Sequence, residues 1–217
     1  TGIRCAHIDS LPDVLAKDAG AGGVGLRVVA EADAAVTALV DRVRRSAGLA
    51  AGQEAQQVDD ALAEATSELR LVKDAWEVDQ MRKAVDATKA GFDDLIRSIP
   101  RAKGHWRGER VLEGAFGARA REEGNGLGYD TIAAAGDHAN TLHWNDNNGR
   151  VQPGELVLVA AGVEIDSPYT ADVTRPIPVD GRFTAEQRRA YEAVLDAADA
   201  ALPRANEPRC RLTAMHA

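Results

Sequence analysis

Five residues in the second half of the sequence carry the side chains that could do chemistry: His138, His143, Glu164, Asp172 and Arg175. Imidazole and carboxylate groups can transfer protons, and both are common ligands of divalent metals. An acid–base pair or part of a metal site is therefore the chemistry to consider.

Considered without further context, these residues have structural interpretations. A histidine flanked by Leu142 and Trp144 on a short strand is typical of a half-buried structural residue, and His138 lies in a predicted turn. Glu164 and Arg175 are predicted to form an ion pair between neighbouring strands. The residue types alone therefore leave the function open.

The elements around these residues are predicted to be short strands. Such strands are predicted at residues 129–135, 142–144, 156–160 and 172–179, separated by turns that contain Asp, Asn and Gly. Pro176 has no backbone N–H, which predicts that the last strand lies at a sheet edge.

Helices are predicted before the strands. Apolar spacing predicts helices around residues 36–43 and 58–71, and a shorter one around residues 111–118. The longest helix is predicted to run to Ile99 and to end before Pro100. Its packing stripe is predicted to contain Val78, Met81, Val85, Phe92, Leu95 and Ile99.

A last helix is predicted after Thr184, where Gln187 completes a capping box. Its buried stripe is predicted to contain Tyr191, Val194, Leu195 and Ala198. Near the N-terminus, the glycine-rich residues 20–25 predict a loop that leads into a short strand at residues 26–29. Helices first, then an antiparallel sheet, then a helix give an α+β pattern.

The composition excludes several classes of function. The net charge of −8 argues against a nucleic-acid backbone as the main partner, and no apolar run approaches the ~20 residues of a membrane span. Cys5 and Cys210 lie at opposite ends of the 217-residue chain and fit neither a disulfide framework nor a zinc spacing. That usage favours a reducing, cytoplasmic location.

A succession of motifs covers residues 65–217. It starts in residues 67–84 and continues through Gly108-Glu-Arg-Val-Leu-Glu-Gly114, Tyr129-Asp-Thr-Ile-Ala-Ala-Ala-Gly136, Thr141-Leu-His-Trp144, Pro153-Gly-Glu-Leu-Val-Leu-Val-Ala-Ala-Gly162 and Tyr169-Thr-Ala-Asp-Val-Thr-Arg175. This order resembles the Xaa-Pro aminopeptidases (aminopeptidase P) and prolidases, which belong to the pita-bread superfamily with creatinase and methionine aminopeptidase. The resemblance implies the N-terminal half of a pita-bread domain, with helices packed on an antiparallel sheet. Residues 1–64 are then expected to be the remnant of a small N-terminal domain and a linker.

The resemblance also implies an activity, the removal of an N-terminal residue that precedes proline. The family holds two divalent metals, commonly manganese, with two aspartates, one histidine and two glutamates. Asp172 matches the second aspartate, and His143 matches the histidine that positions the substrate beside the scissile bond. His138, Glu164 and Arg175 are expected to contact substrate or to be structural.

Two departures from the family pattern bear on activity. Ala160 stands where the first aspartate is expected, and no residue of the chain matches the metal-binding histidine or the two glutamates. Since a single carboxylate is not a metal site, we expect Asp172 to bind no metal stably. The lack of an initiator methionine and the end at Ala217 within a predicted helix favour an incomplete copy.

Three interpretations of the chain remain open. In the first, it is an incomplete or degenerate Xaa-Pro aminopeptidase, a family that acts on proline-containing peptides, and is inactive by itself. In the second, it is a non-catalytic half domain that binds a peptide or partner through the surface around His143. Its exposed apolar face is then expected to cause self-association or to pair with a complementing half. In the third, it is a metal-free acid–base enzyme in which His143 acts with Glu164 or Asp172.

Overall fold

The computed structural model describes residues 4–21, 24–30, 32–50 and 52–205. It contains two compact units, Thr1–Asp74 and Ala75–Ala217, which we treat separately. Cys210 and the helical pattern predicted at the C-terminus lie outside the described residues.

The described part of the first unit contains three α-helices: α1 (Leu11–Asp18), α2 (Ala34–Ser46) and α3 (Gln53–Leu71). The sequence predicts α2 and α3 correctly, but it does not predict α1. Helix α2 begins after Asp33, whose carboxylate accepts a hydrogen bond from the N–H of Val36 at 2.9 Å. The strand predicted at residues 26–29 is wrong. The backbone of this segment forms hydrogen bonds with side chains of α2 and α3 instead of with a neighbouring strand.

Those side chains are Arg44 and Asp59, which form a buried ion pair. Only 2% of Arg44 and 5% of Asp59 are exposed. The guanidinium contacts both carboxylate oxygens, at 2.5 and 2.9 Å, and also donates to the carbonyl of Leu26 at 2.8 Å. Asp59 accepts a further bond from the N–H of Val28 at 2.9 Å. Hydrogen bonds from Arg44 lower the pKa of Asp59 below its usual value.

The second unit begins with two packed helices, α4 (Ala75–Lys103) and α5 (Gly108–Glu123). The prediction that α4 ends before Pro100 is wrong. Proline lacks the N–H that would bond back to the preceding turn, yet the helix continues because Ile99 and Ala102 on either side are buried in the core. Burial of the last turn outweighs the missing hydrogen bond.

The packing stripe predicted for α4 is correct in its second half, where three members are buried: Phe92, Leu95 and Ile99. Met81 and Val85, in the first half, are exposed. There the helix buries small residues such as Ala84 and Thr88 instead. The hydroxyl of Thr88 accepts a hydrogen bond from the N–H of Val163 at 2.9 Å, so a strand approaches a face that the apolar spacing does not mark.

The described residues then form five short strands: β1 (Gly126–Leu127), β2 (Ile132–Ala135), β3 (Leu156–Ala161), β4 (Val163–Glu164) and β5 (Val173–Pro178). Strands β2, β3 and β5 form an antiparallel sheet in that order, and β1 pairs with β4. This arrangement confirms the α+β fold class and the edge position that Pro176 predicts. The strand predicted at residues 142–144 is wrong, because these residues form a turn after the 3-10 helix Gly136–Asn140.

The three-stranded sheet packs one face against the helices. Val157, Val159 and Ala161 of β3 are buried there with Phe116 of α5. Because side chains alternate along a strand, the intervening residues lie on the opposite side. We call that side the outer sheet face, which carries Ile132, Ala134, Leu156, Leu158, Ala160, Thr174, Pro176 and Pro178.

Helix α6 (Ala185–Ala205) begins with the predicted capping box. The N–H of Thr184 donates to Gln187 Oε1 at 3.0 Å, and the N–H of Gln187 donates to Thr184 Oγ1 at 3.2 Å. The buried stripe predicted for this helix is wrong, because 72% of Val194 and 47% of Leu195 are exposed. The described residues place no element over this face. None of the described helices combines the length and the apolar character of a membrane span.

Replacement of Asp59 by asparagine tests the buried ion pair of the first unit. The change removes the buried counter-charge of the Arg44 guanidinium and leaves only the partly exposed Asp41 beside it, so we expect Asp59→Asn to lower the free energy of unfolding by about 3–5 kcal/mol at pH 7. Urea unfolding followed by circular dichroism at 222 nm measures this loss. Asp41→Asn removes the exposed partner of the same guanidinium and should cost less than about 1 kcal/mol.

The pH dependence of this stabilisation has a defined sign. Because the pKa of Asp59 is lowered in the folded chain, its contribution is complete above about pH 4, the ordinary range of an aspartate, and is lost as the pH falls through the lower folded value. The difference between wild type and Asp59→Asn should therefore shrink on acidification. A difference that stays constant from pH 7 to pH 2 would contradict this assignment.

Candidate active site

The free edge of β2 is closed by two side chains. Among the described residues β2 pairs only with β3, so the backbone groups of Thr131, Ala133 and Ala135 on its other side meet no strand there. Asn147 accepts from the N–H of Ala133 at 2.9 Å and donates to the carbonyl of Thr131 at 2.7 Å. Glu109 accepts from the N–H of Ala135 at 2.8 Å. Asn147 and Glu109 thus supply the bonds that another strand would supply.

Glu109 makes three further contacts and is fully buried. Its carboxylate accepts from the N–H of Gly149 at 2.6 Å and from the indole N–H of Trp144 at 3.0 Å, and Nδ1 of His138 lies 2.8 Å from Oε1. We assign the hydrogen of the last bond to Nδ1, because the carboxylate is the acceptor in its other contacts. The rings of His138 and Trp144 stack at 3.9 Å with an angle of 25° between their planes.

The local sequence explains how this cluster forms. Glu109 occupies the first turn of α5, where the exposed N–H groups of a helix favour a negative charge. Gly149 lies so close to the cluster that an added Cβ would approach His138 Cε1 to 2.6 Å and Glu109 Cδ to 2.9 Å. Asn147 adopts a positive φ of 44°, which asparagine tolerates better than other residues with a side chain. The close packing at Gly149 and the positive φ at Asn147 therefore explain why glycine and asparagine occupy these positions.

His143 lies in the exposed turn between the 3-10 helix and Trp144. The turn is held by main-chain bonds on both sides: the N–H of Thr141 donates to the carbonyl of His138 at 2.9 Å, and the N–H of Asn145 donates to the carbonyl of His143 at 3.1 Å. The imidazole of His143 is exposed to solvent. His138 is not a free turn residue, because it is bonded to Glu109.

Asp172 directly precedes β5, at the outer sheet face. Thr174 is the cross-strand partner of Ala160, and Asp172 lies two residues earlier, so strand alternation places Ala160 and Asp172 on the same face. The hydroxyl of Tyr129 donates to Asp172 Oδ1 at 2.8 Å. Burial, and secondly this carboxylate, raise the pKa of Tyr129 above its usual value. Asp172 is therefore an exposed carboxylate with one hydroxyl donor.

The ion pair predicted between Glu164 and Arg175 is wrong. Glu164 lies in β4 and accepts a hydrogen bond from Nδ2 of Asn125 at 3.1 Å. Arg175 lies opposite Val159 in the other sheet and donates to the carbonyl of Thr174 at 2.7 Å. The two side chains belong to different sheets, a separation that spacing in the sequence does not reveal.

The donor set at the outer sheet face does not fit a two-metal centre. Ala160 contributes a methyl group beside Asp172, and one carboxylate cannot bridge two cations with the several oxygen ligands that each requires. Among the described residues, no three His, Cys, Asp or Glu side chains converge on a position that could hold a metal ion.

Sequence reasoning does not find Glu109, Asn147 or Tyr129. Glu109 lies inside one of the motifs that carry the family resemblance, and an acidic residue in a first helical turn usually suggests only a favourable charge. Its contacts come from residues 26 to 40 positions later in the chain, which no local pattern marks. The sequence shows that Glu109 belongs to a family motif, but it does not show which contacts require a glutamate there.

Replacement of Asn147 tests the closure of the β2 edge. Asn147→Ala removes both side-chain bonds, leaves two buried backbone groups unpaired and keeps a residue with a Cβ at positive φ. We expect a loss of about 2–4 kcal/mol in the free energy of unfolding. Tryptophan fluorescence in urea measures it, since Trp76, Trp106 and Trp144 all lie in the second unit. The neighbouring exposed Asn148→Ala is the control and should stay within about 0.5 kcal/mol of wild type; equal losses in the two variants would contradict the assignment.

Three comparisons with known proteins agree with this geometry. The family described as metallopeptidase family M24 matches residues 79–217. Xaa-Pro aminopeptidase 2 from Streptomyces coelicolor is 53% identical over 147 residues, which are 68% of this chain and 31% of that protein. Zn-substituted aminopeptidase P from Escherichia coli, in complex with product, aligns with a TM-score of 0.74 over 93% of this chain and 45% of that chain, at 24% identity. An alanine variant of the same enzyme gives a TM-score of 0.56 and 31% identity over 63% of this chain and 30% of that chain.

These matches confirm the resemblance that the motifs indicate. The structural neighbours are aminopeptidases P, so the helices and antiparallel sheet of the second unit are part of a pita-bread fold. The chain spans about a third of the length of the curated relatives it matches. From its family match and its identity to the Xaa-Pro aminopeptidases, we conclude that the chain belongs to metallopeptidase family M24.

Proposed function

We propose that this chain is the N-terminal half of the catalytic domain of a Xaa-Pro aminopeptidase and that the 217-residue polypeptide hydrolyses no peptide by itself. In this proposal, residues 65–217 form the half domain and residues 1–64 the remnant of the preceding domain. His143 is the residue that faces the peptide substrate, and Asp172 is the remaining metal-binding carboxylate. The cytoplasmic location inferred from the cysteines is part of the same proposal.

The observation that carries the proposal is that Asp172 and Ala160 lie on the same side of the sheet, the outer sheet face. The register of β3 and β5 sets the methyl group of Ala160 on the same face as the carboxylate, where the family pattern has a second carboxylate. Without that charge, the site attracts a divalent cation weakly. The exposed imidazole of His143 supports the role proposed for this residue, since a peptide substrate can reach it.

His143 is suited to act on a peptide carbonyl. A neutral imidazole can donate a hydrogen bond to a carbonyl oxygen, and it stabilises the negative charge that develops there when the carbonyl is attacked. The turn holds the main chain of His143 while leaving the ring exposed, so the ring can be oriented by the substrate. Glu164 and Arg175, both bonded to other groups, have no comparable geometry.

An assay of the purified chain tests the loss of activity. We expect no cleavage of a Xaa-Pro tripeptide with added manganese, because Asp172 is the one family ligand present. Release of the N-terminal amino acid, followed by mass spectrometry, is the measurement. Turnover that a chelator abolishes would contradict the proposal.

Replacement of Ala160 by aspartate separates the metal site from the activity. A second carboxylate beside Asp172 should tighten manganese binding at least about tenfold in isothermal titration calorimetry, which corresponds to ~1.4 kcal/mol, while cleavage stays absent. Ala160→Asn has a similar size and no charge, so it is the control and should bind manganese no better than wild type. Equal affinity in all three proteins would show that residue 160 does not lie beside a cation.

A non-catalytic binding module is the second candidate function. It is favoured by the apolar face of α6, on which Val194, Leu195 and Leu202 are exposed. Exposed apolar faces of this kind commonly mark surfaces that associate. Sedimentation velocity tests whether this face causes self-association. A chain that stays monomeric over a hundredfold range of concentration would argue against it.

A further inference from the structure

We infer that Glu109 is a positioning residue for His143, which it holds through Trp144 and His138. This inference rests on the proposed function, in which His143 faces the substrate. Glu109 itself is fully buried and cannot touch a peptide. Its effect is on the segment that carries the histidine.

The carboxylate of Glu109 holds the chain on both sides of His143. His138 precedes His143 by five residues and bonds to Oε1 at 2.8 Å, and Trp144 follows directly and bonds to Oε2 at 3.0 Å. The stacked rings of His138 and Trp144 close the same short loop a second time. A loop whose two ends are fixed to one group and to each other has few conformations left, so the main chain of His143 is positioned before any ligand binds.

The chemistry of the cluster requires a carboxylate. Four donors converge on two oxygens, and an ionised carboxylate has about four acceptor sites and no hydrogen of its own. A glutamine at this position would keep one acceptor oxygen and would turn an N–H₂ group toward N–H donors. In one orientation the amide nitrogen faces the donors of Trp144 and Gly149, and in the other it faces those of Ala135 and His138. Because an amide nitrogen accepts no hydrogen bond, we expect one side of the loop to be released in either case.

The elements behind Glu109 make the position rigid. Glu109 lies in the first turn of α5, which packs against α4 through the edge-to-face contact of Phe92 and Phe116 at 5.8 Å. The same carboxylate is bonded to Ala135 of β2. Glu109 therefore fixes the loop that carries His143 to helix α5 and to the sheet that contains Ala160.

Glu109→Gln tests the inference in the ligand-free 217-residue chain. We expect hydrogen exchange of the Trp144 indole N–H to accelerate at least about tenfold, and the main-chain N–H signal of His143 in 1H–15N spectra to move toward the position found in an unfolded peptide. Thr88→Val is the matched control. It leaves the buried N–H of Val163 unpaired at a similar cost in stability, but it does not touch this loop.

The readout distinguishes positioning from general stability. Unchanged His143 signals in Glu109→Gln, or equal changes in Thr88→Val, would overturn the inference. If Glu109→Gln does not fold, Trp144→Phe replaces it, since phenylalanine keeps an aromatic ring next to His138 and lacks the indole N–H donor. Because the new ring itself shifts the His143 signals, the readout in Trp144→Phe is hydrogen exchange of the main-chain N–H groups of Thr141 and Asn145, which hold the turn. Faster exchange supports the inference, and exchange at the wild-type rate overturns it.

A titration with a Xaa-Pro tripeptide keeps the two proposals apart. A His143 signal of the wild-type chain that does not respond to millimolar peptide contradicts the proposed function. The comparison of ligand-free variants contains no peptide, so it tests the positioning by Glu109 alone.

Discussion

The unpaired edge of β2 is the constraint on which the arrangement of the site depends. An edge strand presents N–H and C=O groups that must be bonded when they are buried, and here an amide and a carboxylate bond them instead of a further strand. Both Asn147 and Glu109 also hold the segment that follows β2. The side chains that pair the edge of β2 therefore also position the loop that carries His143. A buried carboxylate is tolerated at this place because each of its acceptor sites meets a donor.

The two faces of the same sheet have separate roles. The inner face carries Val157, Val159 and Ala161 into the core, and it fixes the strand register against α4 and α5. The same register determines which residues are neighbours on the outer sheet face, where Ala160 lies opposite Thr174 and near Asp172. Gly162 directly follows β3, at a point where a Cβ would collide with the carbonyl oxygen of Ala171, so the backbone near Ala160 is closely packed. Alanine at position 160 therefore contributes no oxygen donor to this face, while the strand register around it is set by the inner face.

The sequence predicts what depends on local pattern and on the order of motifs. The α+β class, helices α2 to α5, the edge position of Pro176 and the capping box at Thr184 follow from spacing, proline chemistry and capping. Contacts between distant segments do not follow. In the sequence, Glu164 follows one predicted strand and Arg175 lies in the next, which suggests an ion pair, yet the two residues lie in different sheets. Residues 142–144 alternate like a strand, but they form a turn because the neighbouring strand position is already filled by the side chains of Asn147 and Glu109.

The apolar stripes of α4 and α6 show where periodicity reaches its limit. A repeat of three and four residues states that one side of a helix is apolar, and it gives no information about what covers that side. In α4 the second half of the stripe meets α5 and the sheet, whereas Met81 and Val85 stay exposed because the helix turns Ala84 and Thr88 toward β4. In α6 Val194 and Leu195 are exposed, and Tyr191 is half-buried against the ring of Phe183. The same pattern thus yields a core in one element and an open surface in the other, and the difference lies in which strands approach each helix.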